Sequence, residues 1–123
     1  MRVENMEGGV LDLWVALALG EKRSTKHEAT NECGLYWLKQ GDYGSVKLCP
    51  RYSTRPGDGQ PIIESEYIST LYLESFGEWR ASHRLMRGNK SVCGNTALQA
   101  AMRAFVAARF GDNVQLDTED EPT

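Results

Sequence analysis

The sequence predicts one small α+β domain, an antiparallel β-sheet packed with two α-helices. Three observations predict it. Segments with helical apolar spacing lie towards both ends, at 10–19 and 96–110. Short strand-like segments lie between them, and no internal repeat or linker divides the chain. A length of 123 residues fits a single domain. We place that domain over 1–114 and a flexible acidic tail over 115–123, where Asp117, Glu119, Asp120 and Glu121 crowd together.

The first helix, VLDLWVALAL at 10–19, is rich in Ala and Leu, and Gly20 supplies its stop. Leu11, Trp14, Val15 and Ala18 fill one stripe, Leu13 and Leu17 fall on another side, and Asp12 alone interrupts the apolar surface. A helix apolar nearly all round wants burial on more than one face. In a chain this small, that requirement points to a second subunit, so a homodimer or higher homo-oligomer is expected.

Residues 21–34 read as a polar loop. LYWL (35–38) and SVKLC (45–49) read as strands joined by a turn rich in Gly and Asp. RYSTRPGDGQPIIESE (51–66) reads as an open loop with a Pro-Gly-Asp-Gly turn. ISTLYLES (68–75) and EWRAS (78–82) read as paired strands, and 83–94 as irregular and basic. The last helix spans 96–110, capped by Asn95 or Thr96 and stopped by Gly111, with Leu98, Ala101, Met102, Phe105 and Ala108 facing the core.

A net charge of −3 excludes the global basic field of a general nucleic-acid binder. The longest apolar run, Leu13–Leu19, is far short of the roughly 20 residues that cross a bilayer, so no membrane partner is expected. No signal peptide is expected either. Cys33, Cys49 and Cys93 form no Cys-x-x-Cys pair, which fits free thiols in a reducing compartment. No catalytic motif is present, so no enzyme, metal or cofactor is expected. A Cys93–His83 pairing is arbitrary, and Glu64 with Glu66 would share a face only on a strand.

The binding reading rests on the 51–66 segment. Arg51 and Arg55 flank Tyr52, Ser53 and Thr54, and outward-facing amides at Gly57, Asp58 and Gly59 could join them in holding an anion. Tyr52 or Trp79 would stack on a base, and Arg103 and Arg109 on the last helix would close the pocket. Each residue also has a plain structural reading: a turn, a core tryptophan, a solvated arginine, or a cation at a helix C-terminus. Their coincidence favours a ligand.

LDLWVALALG, YSTRPGDGQPIIE, GEWRA and TALQAAMRAFVAARFGDNV follow one another in an order that resembles the NinX-like family of small phage and prophage proteins. The resemblance spans Leu11 to Val114. At Arg55 and Pro56 this chain departs from the acidic residue and Trp common in the family loop, so an aromatic is lost and a cation gained. The resemblance implies a phage accessory protein acting in the cytoplasm of an infected bacterium. By analogy with other small phage proteins, the expected role is counter-defence by sequestering a small anionic, nucleotide-derived signal. The alternative is a protein-interaction module that inhibits a host or defence enzyme, docking through the apolar first helix or the acidic tail.

Overall fold

Two apolar stripes on the first helix demand two covers. In the computed structural model, which describes residues 1–24, 34–41, 44–86 and 90–115, both covers come from the same chain. Helix α1 (Gly8–Ala18) turns Leu11, Trp14, Val15 and Ala18 into the main core. Its other side sends Leu13 and Ala16 into a small second cluster with Leu38 and Cys49. The second cluster belongs to a hairpin of β1 (Trp37–Gln40) and β2 (Ser45–Leu48), paired antiparallel from Trp37 opposite Leu48 to Gln40 opposite Ser45. The apolarity of α1 is thus satisfied internally and gives no reason for a second subunit.

A second, three-stranded antiparallel sheet runs in the order β3 (Ser69–Leu73), β4 (Glu78–Ser82), β5 (Val92–Gly94). Helix α3 (Ala97–Phe110) packs across it, with the Thr96 hydroxyl accepting from the Gln99 N–H as the expected cap. Every residue of α3 from Ala100 to Ala107 is buried. Four of these eight are alanines, and small side chains let neighbouring elements approach the helix axis. Gly94 on β5 completes that fit, because a Cβ there would collide with the Ala100 backbone.

The α+β class and both expected helices are present, with three corrections. The strands form two sheets rather than one, because α1 lies between the hairpin and the main core. The stretch 83–94 is not wholly irregular, since Val92–Gly94 joins β4 as an edge strand. Most important, the expected open loop contains a third helix, α2 (Pro56–Glu66). Two Pro and two Gly within six residues read as a turn, but Pro56 occupies the first helical turn, where its missing N–H costs nothing. Burial of Ile62 in the main core outweighs the poor helix propensity of the rest. The helix ends on Tyr67 in the left-handed conformation, φ 54°. The acidic tail expected at 115–123 lies outside the described residues from 116 onward.

Arg103 projects from α3 into the interior and is 7% exposed. Its Nε donates to the Met6 carbonyl at 2.7 Å and a terminal nitrogen donates to the Cys93 carbonyl at 2.9 Å. One side chain therefore ties the N-terminal segment to the free edge of β5. Burial holds its pKa below the usual guanidinium value. Arg103→Ala should lower unfolding stability by about 2–4 kcal/mol in a urea titration, because a buried and a partly buried carbonyl lose their donor. Arg103→Lys should recover only part of this, since an ammonium cannot reproduce the planar fork.

Candidate functional site

The segment before α2 is held by two carboxylates. Asp12, 2% exposed on α1, accepts the Ser53 backbone N–H at 2.8 Å. Asp58, in the first turn of α2, accepts the Arg51 backbone N–H at 3.1 Å. The Arg51 carbonyl in turn accepts from the N–H groups of Thr54 and Arg55, and the Arg55 carbonyl from those of Asp58 and Gly59. The amides at 58–59 are consequently turned into the local fold and do not face outward as the sequence suggested. Gly59 is buried, and a Cβ on it would overlap the Tyr52 carbonyl oxygen and press on Leu98 of α3. Gly57 faces open space. The Gly-Asp-Gly stretch is therefore a close helix–chain contact at one end and an exposed position at the other.

Tyr52 sits between the two cores, half-buried and packed on both. Desolvation pushes its hydroxyl up to about 12. Ser53 is buried, and its Oγ has no hydrogen-bond partner of good geometry. Burial also holds the Asp12 carboxyl above the ordinary value of 3.8. The Ser53 contacts and the Arg51 charge pull it back, while Asp58 adds to the rise. Arg55 is exposed at the start of α2, with no side-chain cap bond.

The remaining candidate residues have other partners. Trp79 on β4 packs on the main core and lies 5.2 Å from the Tyr72 ring, centroid to centroid. Arg103 is committed to Met6 and Cys93 as described. Arg109 lies over the Phe105 ring at 5.5 Å, with a terminal nitrogen 3.9 Å from Glu66. Seven of the ten candidates thus share one short segment, and Trp79, Arg103 and Arg109 do not join them.

Two features escaped the sequence reading. His83 is fully buried; its Nδ1 accepts the Leu85 N–H at 3.1 Å, which leaves Nε2 to carry the proton towards Glu66 at 2.8 Å. This is a satisfied core histidine joining β4 to α2, and Glu64, on a helix with Glu66, points elsewhere into solvent. The second feature is a cleft of about 650 Å³ between the end of α1 and the β1–β2 hairpin. Residues 22–24 run beside β1 there, with the Lys39 N–H on the Lys22 carbonyl at 2.8 Å and the Ser24 N–H on the Trp37 carbonyl at 2.9 Å. Lys22, Lys39, Ser24 and Ser45 line it. Its lining carboxylate, Glu21, is neutralised by Lys47 at 3.2 Å, and no carboxylate among the described residues pairs with Lys22 or Lys39. Scattered lysines in polar loops gave no signal in the sequence; only the pairing of 22–24 with β1 brings them together.

The family model described as Bacteriophage P22, NinX matches residues 2–109. Among curated proteins, none matches the chain.

Two outcomes follow from this geometry. Gly59→Ala should cost about 1–3 kcal/mol by overpacking, whereas Gly57→Ala should stabilise by up to about 1 kcal/mol through helix propensity; thermal melts of the pair distinguish them. Asp12 gives a pH test. Its folded pKa is raised, so the folded chain retains a proton that the unfolded chain releases, and stability falls as pH rises above 3.8. Asp12→Asn keeps an acceptor for Ser53 without the buried charge, so its melting temperature should gain on wild type between pH 4 and pH 7. Asp12→Ala strands the Ser53 N–H and should lose about 1–3 kcal/mol.

Proposed function

Because the chain belongs to the NinX family of phage proteins, we propose that it is a phage accessory protein that acts by binding, without turnover. In this reading it works in the cytoplasm of the infected host and counters defence by sequestering a small anionic, nucleotide-derived signal. The observation that carries the reading is the cleft beside α1. Lys22, Lys39, Ser24 and Ser45 are among the residues lining a volume of about 650 Å³, within the range of roughly 300–1,000 Å³ typical of small-molecule sites. In this reading Lys22 and Lys39 supply point charges for phosphate, and the exposed Ser45 supplies a hydroxyl donor.

The 51–59 segment is the weaker home for such a ligand. Its amides at 58–59 are spent on Arg55, and Asp58 places a carboxylate where the anion would sit. Inhibition of a host enzyme through α1 also has less support, since the apolar residues of that helix are covered within the chain.

Calorimetric titration of the purified protein with cyclic mononucleotides, cyclic dinucleotides and ADP-ribose derivatives tests the proposal. At least one class should bind and be recovered intact after heat denaturation. Lys22→Ala combined with Lys39→Ala should weaken that binding about tenfold or more, worth ~1.4 kcal/mol or more, whereas Arg51→Ala should leave it unchanged. Loss with Arg51→Ala alone would return the site to the α2 entry, an altered product would make the protein an enzyme, and no binding by any class would overturn sequestration.

A further inference from the structure

Strand β3 closes one edge of the three-stranded sheet, and among the described residues nothing pairs with its outer side. The opposite edge is treated differently. On β5 the Cys93 carbonyl is taken by Arg103, and the N-terminal segment lies alongside. An open edge presents a row of unpaired N–H and C=O groups, and proteins commonly blunt such edges with Pro, Lys, bulges or inward charges. The sequence of β3, STLYL, has none of these.

Its side chains are exposed on both faces. Ala81 of β4 is buried against α3, so its neighbour Arg80, and Leu71 opposite Arg80, point to the outer face. Leu71 is 62% exposed there, and Tyr72 on the other face is 46% exposed. Leu71, Leu73 and Arg80 are among the residues lining a shallow outer groove of about 370 Å³. On this face Arg80 is paired with Glu78 at 3.1 Å.

We propose that β3 is a homodimer interface, pairing antiparallel with β3 of a second copy to make one continuous six-stranded sheet. The strand is complementary to itself about Leu71. In that register Leu71 faces its own copy, Thr70 faces Tyr72 and Ser69 faces Leu73. Leu71 meets Leu71, Thr70 and Tyr72 make a β-branched–aromatic pair, and no like charges oppose, since Glu74 falls opposite Ile68. Closely spaced antiparallel neighbours have Cα atoms about 4.5–5.5 Å apart, inside the ~4.4–6.8 Å that a disulfide spans. This inference is independent of the cleft at Lys22 and Lys39.

Sedimentation of the full chain from micromolar to millimolar concentration, together with two variants, tests it. Wild type should reach twice the chain mass. Leu71→Lys, which sets two ammonium groups face to face at an exposed position, should remain monomeric with an unchanged circular dichroism spectrum. Leu71→Cys should give a disulfide-linked dimer with oxidised glutathione, while wild type and Phe76→Cys, at the exposed hairpin tip, should not. A wild-type monomer throughout, or a dimer that survives Leu71→Lys while Leu71→Cys fails to crosslink, would overturn the proposal. Should Leu71→Lys misfold, the Leu71→Cys crosslink decides alone. A monomer whose β3 edge instead captures a different protein would overturn it as well.

Discussion

The whole architecture is organised around the near-complete burial of α3. The main sheet, α1, α2 and the N-terminal turn all lean on this one helix. A helix can accept neighbours on so many sides only if its side chains are small where they approach, and Ala100, Ala101, Ala104 and Ala107 meet that condition. Met102, Phe105 and Val106 then fill the spaces between the contacting elements. Arg103 is the exception that polar backbone demands: an edge strand and an N-terminal segment reach the interior there with carbonyls that need a donor.

A second polar joint works in the same way at the other end of the core. Asp12 is the one charged position on α1, and it is buried because the chain entering α2 brings the Ser53 N–H to it. The cost of desolvating a carboxylate is offset in part by that bond and by the nearby Arg51 charge. Residues 51–59 are therefore shaped by how α2 must be delivered to α3, with Gly59 small enough to pass beneath the Tyr52 carbonyl. Features that suggest anion recognition in the sequence, namely glycine, aspartate and hydroxyl side chains around a turn, are the same ones a tight chain-to-helix junction uses.

That ambiguity shows where the sequence was legible and where it was not. Both alanine-rich helices were readable because apolar spacing and Gly20 and Gly111 agree locally. The β3–β4 pair was readable from strand-forming residue types. Helix α2 was hidden because its propensity is poor and its stability comes from Ile62 and α3, a tertiary contribution no local window contains. Arg103 and Trp79 were plausible ligands on paper, since a sequence shows residue type but not which neighbour claims it. The lysine cleft depends on a pairing between residues 22–24 and β1, and nothing local announces such a pairing.

The split of the apolar interior by α1 has a consequence for how the molecule moves. The β1–β2 hairpin is anchored through Leu38 and Cys49 against Leu13 and Ala16, a far smaller cluster than the one beneath α3. Fewer buried contacts mean a lower free energy of local opening, so parting the hairpin from α1 costs less than opening the α3 core. The cleft floor lies along that seam. A guest held there would brace the hairpin and α1 against each other, making the less stable portion of the chain the one that gains most rigidity on occupancy.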